Sequence, residues 1–323
     1  MSRSIVVARF GGPDALELTD GEEPHAGPSQ VRVRVTAAGL NPVDLRIAEG
    51  GATAQRFGVA PPFINGNDFA GVIDEVGSAV TEWSVGDRVY GGARCRAQVD
   101  HLIIDDVSTL NPTPESLDDV RAAVLDIAGR TALAGIRALR LGDADTVLVT
   151  AAAGGCGVIA CQLARQTGAA VVGTASAHNH EFLRSLGVAA VEYGPGVEDR
   201  IRSVAPGGIT AVFDGQGRAS IVLALALGVP PSRINSIADR QAAEQVGALS
   251  VGRATTPTSE VRHVAQAVAA GALRVHIDGT YPLDEVRDAY HRLDSGHVRG
   301  KLALVLTDTA SGGQHELRSR WLA

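Results

Sequence analysis

The sequence predicts an α/β protein in which a doubly wound parallel sheet is joined to a second, mainly β domain. Three observations support this prediction. The first third of the chain is rich in β-branched residues and glycines, the pattern becomes helical near residue 117, and short apolar strands then alternate with helices. Continuous apolar strands separated by helices are typical of a parallel sheet covered on both faces. The 323 residues suffice for two domains, each with its own core.

The first third predicts a compact, glycine-rich β domain. Residues 4–10 form a β-branched run, and residues 30–37 alternate between valines and polar residues. That alternation predicts a strand with one face in water. Glycines then separate further short strands, which we place at residues 70–76 and 88–90.

The remainder predicts alternating helices and strands. Helical spacing over residues 117–141 marks the transition, and the last helix and strand are placed at 283–293 and 301–306. The tail from Asp308 is polar and shows no clear pattern. Further strands are predicted at 146–150, 170–174, 189–191, 209–213, 233–237 and 275–277, and helices at 156–167, 179–186 and 259–270.

Composition argues against several classes of protein. A net charge of −7 without long charge runs argues against nucleic acid or an anionic membrane as the main partner. Three irregularly spaced cysteines do not suggest a disulfide framework. We find neither the apolar run of a signal peptide nor the ~20 consecutive apolar residues that a membrane span needs. A cytoplasmic protein is therefore the expectation.

Residues 147–157 (VLVTAAAGGCG) are the most informative stretch: a buried strand, a turn of small residues, and a helix that starts near Cys156. Small residues let the backbone approach a pyrophosphate, and a helix N-terminus offers free N–H groups and a partial positive charge. The spacing, Ala151-x-x-Gly154-x-x-Gly157, departs from G-x-G-x-x-G, and alone it could be a tight strand-to-helix turn. Because it opens a βαβ series, it predicts dinucleotide binding on a Rossmann fold.

The end of the second strand indicates which dinucleotide binds. NAD-binding proteins place an acidic residue there to hold the ribose 2′-hydroxyl. Here no carboxylate appears before Glu181, while Ser176, His178 and Asn179 could donate hydrogen bonds to a 2′-phosphate. The sequence therefore favours NADPH, although the same polar loop could simply cap the next helix.

The order of motifs resembles the zinc-free, quinone oxidoreductase branch of the medium-chain dehydrogenase/reductase superfamily, over almost the whole chain. The resemblance implies a GroES-like catalytic domain at residues 1–123, a Rossmann domain at 124–260, and a return to the catalytic domain with a C-terminal tail at 261–323. The motifs that carry it are residues 38–44 (AGLNPVD), 66–71 (GNDFAG), 85–89 (VGDRV), 128–132 (AGRTA), 147–157 and 296–301 (GHVRGK).

The residues at the zinc-ligand positions of the superfamily are amides and a carboxylate. The position of Asn41 resembles that of a cysteine ligand in zinc-dependent relatives. Asn67-Asp68 likewise stands where those relatives have a His-Glu pair. Asn amides are poor zinc ligands beside thiolate and imidazole. We therefore expect no metal, and hydride transfer to a quinone or an α,β-unsaturated carbonyl, which does not need a Lewis acid to stabilise an alkoxide.

The resemblance also implies roles for single residues. Asn41 and Thr131 hold the nicotinamide ribose or the substrate oxygen. Tyr193 belongs beside the 2′-phosphate or is an ordinary aromatic at a strand end, and the Cys156 side chain is interpreted as structural. The expected cofactor-binding residues are Asn41, Thr131, Ala153, Gly154, Gly155, Cys156, Ser176, His178, Tyr193, Gln216, Ile237 and Ala238.

The catalytic candidates are Asn41, Asp44 and Tyr90. Either Tyr90, Asp44 or water could donate the proton, and Asp44 could instead be a helix-capping aspartate after Pro42. Catalysis would then depend mainly on positioning the nicotinamide against the substrate.

Two departures from the family pattern concern the substrate side. Arg130 replaces an aliphatic residue and is either a cation near the cofactor or, by the blander interpretation, a solvated helix residue. Residues 95–101 (CRAQVDH) replace an aromatic-rich stretch and are expected to line the substrate site. His101 in that stretch could act as an acid or base, although an isolated histidine is more often structural.

Three functions remain open at this point. The first is an NADPH-dependent quinone or enone reductase, and the second is a biosynthetic enoyl reductase or tailoring enzyme acting on a polyketide-like substrate. The third is a non-catalytic NADPH-binding protein. A homodimer formed by sheet extension near residues 233–237 is expected from the family resemblance.

Overall fold

The structure is a computed structural model and describes residues 1–306. Residues 307–323, the end of the predicted third segment, lie outside the described residues. They include the polar tail predicted from Asp308. No helix in the described part of the chain combines the length and apolar character that a membrane crossing requires.

The amino-terminal part consists of two antiparallel sheets. The smaller has the order β2-β1-β4, and the larger has β5 and β6 on one side of β3. The strands of the amino-terminal part are β1 Ser2–Val7, β2 Leu16–Gly21, β3 Val31–Gly39, β4 Phe63–Ile64, β5 Asp68–Val76, β6 Arg88–Gly92, β7 His101–Ile104 and β8 Asn111–Pro112. Its helices are α1 Pro42–Glu49, α2 Gly51–Phe57 and α3 Asp119–Ala122.

The middle part is the predicted Rossmann sheet. Its five parallel strands are in the order β11-β10-β9-β12-β13, so the first strand along the chain lies at the centre. The strands are β9 Thr146–Val149, β10 Ala170–Ala175, β11 Ala189–Glu192, β12 Ala211–Asp214 and β13 Ile234–Ser236, and the helices are α4 Leu125–Leu139, α5 Gly155–Gln166, α6 His180–Ser185, α7 Val197–Val204, α8 Arg218–Ala226 and α9 Arg240–Val246.

Burial on both faces explains why these strands read as apolar runs. On β9, Leu148 packs in one cluster, while its neighbours Val147 and Val149 pack in the other. Residues of β12 divide in the same way, with Val212 on one face and Phe213 on the opposite one. The prediction of a parallel sheet with helices on both faces is confirmed.

The chain then returns to the larger sheet of the amino-terminal part and adds a parallel strand pair, β14 and β15, to it. Its last elements are α10 Val261–Ala269, β14 Ile277–Pro282, α11 Val286–Asp294 and β15 Lys301–Val305. β15 pairs antiparallel with β3, placing Ala303 opposite Gly39. This pairing brings the segment before β15 to the carboxyl ends of the parallel strands. There Gly300 pairs with Gly154 in the loop between β9 and α5 (residues 150–154), which we call the phosphate loop.

The strand predicted at 275–277 begins only at Ile277 and continues to Pro282. Two further sequence predictions about these elements are wrong. The single helix expected at 117–141 is two helices, because the chain bends at Val124, whose backbone is non-helical. The face of β3 expected to be in water is largely covered: Arg32 is 9% exposed, donates to Asp74 at 2.9 Å and to the Pro24 carbonyl oxygen at 2.8 Å. Ion pairing allows this arginine to be buried.

Candidate active site

A cleft of about 750 Å³ lies between the antiparallel and the parallel sheets. One wall comes from α1, α2 and the loop after β6, and the other from the carboxyl ends of β9, β12 and β13. Ligands of doubly wound proteins bind at the carboxyl ends of the parallel strands. The cleft therefore has the location of a dinucleotide and substrate site.

The phosphate loop is shaped by close backbone approaches. Ala151 has a φ of 51°, and a Cβ on Gly157 would lie 2.2 Å from the Ala151 carbonyl oxygen. The first N–H groups of α5 have no acceptor within the helix. Glycine at position 157 is thus required for the turn that aims these groups at the cleft.

The segment before β15 closes the loop from the other side. The Gly300 N–H donates to the Ala153 carbonyl oxygen at 2.7 Å, and a Cβ on Gly155 would lie 2.5 Å from Lys301 Cδ. The segment around Gly300 therefore forms the second wall of the phosphate loop, although it follows Ala153 by about 150 residues in the sequence.

Asp214 joins the ends of three parallel strands. Its carboxylate accepts hydrogen bonds from Thr150 Oγ1 at 2.8 Å and Ser236 Oγ at 2.6 Å, and from the Gly217 N–H at 3.0 Å. The ends of β9, β12 and β13 are thereby fixed relative to one another. No role was assigned to Asp214 from the sequence, where it appears only as the last residue of a strand.

The floor of the cleft contains a buried polar network around Asn41. Asn41 Nδ2 donates to Asp68 Oδ2 at 3.1 Å, and Lys301 Nζ donates to Asn41 Oδ1 and to the Leu40 carbonyl oxygen. Asn67 Nδ2 donates to Asp44 Oδ1. Lys301, the only lysine of the sequence, is thus buried near two buried carboxylates, Asp68 and Asp44.

Burial shifts the protonation of this network. It raises the pKa of Asp68 to about 7, with the nearby Asp126 carboxylate adding to the effect. Burial also raises the pKa of Asp44 and lowers that of Lys301, whose ammonium the two carboxylates partly stabilise.

Arg130 is not a solvated helix residue, and that interpretation is wrong. Its exposed fraction is 7%, it pairs with Asp126 at 3.0 Å, and it also donates to the Thr256 carbonyl oxygen. Arg253 pairs with the other oxygen of Asp126 at 2.8 Å. Arg130 lines the cleft as one member of this buried triplet, because Asp126 one turn earlier neutralises it.

The polar loop after β10 acquires a cation from a distant segment. Ser176 Oγ lies 3.4 Å from His178 Nε2, and the Asn179 amide donates to Ser176 Oγ at 3.2 Å. Arg299 Nε donates to Asn179 Oδ1 at 2.7 Å. Tyr193 is 45% exposed on the neighbouring strand end. Arg299 belongs to the motif at residues 296–301, but its contact with the loop that contains Ser176 depends on the tertiary fold.

The structure brings most predicted cofactor residues to the cleft. Ala153 and Gln216 lie in loops that border it, and Ser176, His178 and Tyr193 lie at the ends of the next two strands. The predicted residues that line the cleft directly are Asn41, Thr131, Gly154, Gly155, Cys156, Ile237 and Ala238.

Two of the catalytic candidates lie outside the cleft lining. Asp44 is buried and accepts a hydrogen bond from the Asn41 backbone N–H at 2.9 Å, which makes it the helix-capping aspartate of α1. Tyr90 is fully buried on β6, and its hydroxyl has no hydrogen-bond partner among residues 1–306. Of the three candidates, only Asn41 faces the cleft.

Residues 95–101 do not line the cleft, which corrects the expectation for this stretch. Cys95, Ala97, Gln98 and Val99 are buried, and Gln98 donates to the Tyr290 hydroxyl at 2.7 Å. His101 begins β7, with Nε2 at 3.8 Å from Asp74. Most of these side chains pack into the antiparallel part because the backbone of the stretch donates to the carbonyl oxygens of Gly66, Asn65 and Arg3.

Within the described residues, no three His, Cys, Asp or Glu side chains are grouped so as to hold a metal ion. The three cysteines are free thiols whose pKa burial raises, to about 11 for Cys95 and Cys156 and about 12 for Cys161. The Cys156 thiol in the cleft is therefore protonated at neutral pH and behaves as a small apolar group.

Family models match two stretches of the chain. Residues 27–109 match the alcohol dehydrogenase GroES-like domain, and residues 183–304 match a model described as zinc-binding dehydrogenase. Together they cover parts of both halves of the cleft.

Individual proteins extend this similarity. The quinone oxidoreductase of Rattus norvegicus is 35% identical over 185 residues, 57% of this chain and 55% of the relative, so that match spans about half of the relative's length. The NADPH-dependent alkenal/one oxidoreductase, chloroplastic, of Arabidopsis thaliana is 29% identical over 94% of this chain and 79% of that protein.

A solved structure covers nearly the whole chain. The quinone oxidoreductase from Coxiella burnetii is 30% identical, with a TM-score of 0.81 over 95% of this chain and 99% of that one. The chain belongs to the medium-chain dehydrogenase/reductase family, in its quinone oxidoreductase-like branch.

Proposed function

We propose that the protein is an NADPH-dependent, zinc-free oxidoreductase that transfers hydride to a quinone or an α,β-unsaturated carbonyl. The observation that carries this proposal is the single cleft in which the phosphate loop and the Asn41 network face each other. The names of the similar proteins from rat, Arabidopsis and Coxiella support the same chemistry.

The residues of the cleft fit a dinucleotide. Gly154, Gly155 and Cys156 present the N-terminus of α5, which suits a pyrophosphate. Ser176, His178 and Arg299 would hold a 2′-phosphate, which is why we propose NADPH over NADH. When bound, the nicotinamide supplies the hydride.

The chain's own contribution to the reaction is positional and electrostatic. Asn41 is fixed by Lys301 and Asp68, so its amide is held rigidly in the cleft floor beside Thr131. The Asn41 amide hydrogens are committed to Asp68 and Asp44, so the group that can stabilise developing negative charge on a carbonyl oxygen is the remaining N–H of the buried Lys301 ammonium. Water supplies the proton in this proposal, because neither Asp44 nor Tyr90 lines the cleft.

The proposal that catalysis is zinc-free rests on the ligand positions. Asn41 and Asn67 both use their amides in hydrogen bonds to buried carboxylates. A metal there would have to displace those bonds and recruit amide oxygens, which are weak ligands for zinc. Stoichiometric zinc in the purified, active protein would contradict this part.

An acceptor panel tests the function. The purified protein is mixed with NADPH and a series of quinones, enals and enones, and loss of nicotinamide absorbance is followed. We expect turnover on at least one conjugated acceptor and none on simple saturated ketones. Tight NADPH binding without turnover on any acceptor would instead identify a non-catalytic NADPH-binding protein.

A further inference from the structure

The charge of the cleft wall is of one sign. Every charged side chain that lines the cleft among the described residues is basic, although the whole sequence has a net charge of −7. A one-sided wall in a recessed site concentrates anions there. These residues are Arg46, Arg56, Arg94, Arg130, Arg240, Arg253 and Lys301.

Some of these cations are already neutralised within the fold. Arg130 and Arg253 share Asp126, and Lys301 faces Asp68 through Asn41. Arg240, on the wall formed by the parallel strands, makes no ion pair with a carboxylate in residues 1–306, and neither do the three arginines of the opposite wall, Arg46, Arg56 and Arg94. We call these three the arginine triad. Their charges are available to a ligand.

Arg94, one member of the arginine triad, is held by an aromatic ring and by a backbone carbonyl of its neighbour Arg56. The Arg94 guanidinium stacks over the Phe57 ring at 4.5 Å, and Arg94 Nη2 donates to the Arg56 carbonyl oxygen at 3.1 Å. Arg46 lies in the last turn of α1, directly before α2. Stacking restrains a guanidinium while leaving its remaining N–H groups free for carboxylate or phosphate oxygens.

The position of the triad separates it from the cofactor phosphates. The groups suited to those phosphates lie at the ends of the parallel strands, in the phosphate loop and beside Arg299. The arginine triad comes from α1, α2 and the loop after β6, on the opposite wall. It is therefore placed to meet the second ligand of the cleft, the hydride acceptor.

We infer that the acceptor carries an anionic group, a carboxylate or a phosphate, which the arginine triad holds while the conjugated bond lies on the Asn41 floor. This inference rests on the proposed function. In the reaction, hydride adds to the β-carbon, the π electrons shift to the carbonyl oxygen, and a water proton adds to the α-carbon. NADPH is oxidised to NADP⁺, and the anionic group is unchanged.

Matched acceptors test the inference. 4-Oxopent-2-enoate is compared with neutral pent-3-en-2-one, and crotonyl-coenzyme A with the neutral crotonyl thioester of N-acetylcysteamine. We expect kcat/KM to favour the anionic member of at least one pair by about tenfold or more. The oxo acid and the coenzyme A thioester distinguish a carboxylate from a phosphate as the recognised group.

Variants assign the preference to the triad. In R56Q/R94Q we expect kcat/KM for the preferred anionic acceptor to fall about tenfold, through KM, with the neutral partner changed less than twofold. The matched control is R96Q, because Arg96 is a nearby exposed arginine that pairs with Asp105 and does not line the cleft. Equal losses on both acceptors, or a wild-type preference for neutral acceptors in both pairs, would overturn the inference.

A binding measurement separates this inference from the proposed function. Non-reducible 4-oxopentanoate and butyryl-coenzyme A are titrated calorimetrically into the NADP⁺-loaded protein. If no acceptor is reduced but binding is weakened in R56Q/R94Q and not in R96Q, the function fails and the anion site stands. If acceptors are reduced and neither anion binds, the function stands and the anion site is wrong.

Discussion

Arg299 is the side chain on which the proposed preference for NADPH depends. It is brought to the loop after β10 by the return of the chain before β15, and it donates to the Asn179 side chain and to the His178 carbonyl oxygen. Under the proposed function its charge would meet the 2′-phosphate of NADPH. NADH lacks that group.

We predict that R299Q raises the Kd for NADPH about tenfold and leaves the Kd for NADH within twofold, because a charge-assisted hydrogen bond contributes roughly 1.5–3 kcal/mol. Fluorescence titration with both nucleotides measures this. R299K is the conservative control and should retain part of the preference. An equal loss for both nucleotides would mean that Arg299 only supports the loop.

Asp68 makes stability depend on pH. Its pKa in the folded protein is about 7, above the ordinary value of 3.8, because the carboxylate is buried near Asp126. Well below pH 3.8 the group is neutral in both the folded and the unfolded state. As the pH rises towards 7 the unfolded chain loses this proton and the folded protein keeps it, so the contribution of Asp68 to stability is progressively lost.

We therefore expect D68N to gain stability relative to the wild type between pH 5 and pH 8, measured by urea unfolding. D143N provides the control, since Asp143 is exposed on the surface. Parallel pH dependences for D68N and the wild type would contradict the shifted pKa.

At the scale of elements, the loop between β9 and α5 depends on the absence of side chains. Only 2.2 Å separates the position of a Cβ on Gly157 from the Ala151 carbonyl oxygen, and that atom belongs to backbone that cannot move aside easily. Gly142, before β9, has open space around it and no unusual backbone angle.

We predict that G157A raises the Kd for NADPH at least about tenfold and destabilises the protein by about 1–3 kcal/mol, whereas G142A changes neither property appreciably. Calorimetric titration and urea unfolding measure the two effects. If G157A bound NADPH as tightly as the wild type, the loop would not be the pyrophosphate site.

The same scale shows what sequence patterns could predict. The parallel strands were predictable because burial on both faces leaves continuous apolar runs, such as the one at 146–150. Helices α7, α8 and α9 were missed because they are short and interrupted by exposed residues, and their apolar periodicity covers only two turns or so. The break at Val124 is a tertiary effect, since α3 packs on β3 and β5.

For the whole molecule, the site depends on contacts between segments that are far apart in sequence. The strand-end residues of the Rossmann sheet were predictable, because parallel strands bring their carboxyl ends to one edge. Lys301, Arg299 and the triplet around Asp126 were not, because their partners are set by how β15 and α4 pack against the other half. The expectation that residues 95–101 line the cleft was wrong for the same reason, since backbone hydrogen bonds to residues 3, 65 and 66 turn most of these side chains inward.

A homodimer formed by extension of the Rossmann sheet remains a prediction. If it forms, the hydrogen bonds of β13 indicate which segment would pair with the second copy. The Ser236 N–H donates to the Leu249 carbonyl oxygen at 2.9 Å, and the Leu249 N–H donates to Ile234. The outer edge of β13 is thereby partly occupied. A second copy would pair with the segment around Leu249 and not with β13 itself.

Transfer of a labelled hydride tests the central claim most directly. The protein is incubated with NADPH carrying two deuterons at C4 of the nicotinamide and with a conjugated enone, and the reduced product is analysed by mass spectrometry and NMR. We predict one deuterium at the β-carbon of the saturated ketone and solvent hydrogen at the α-carbon. Reduced product without deuterium at the β-carbon, or no product from any acceptor while the labelled NADPH remains intact, would contradict the account.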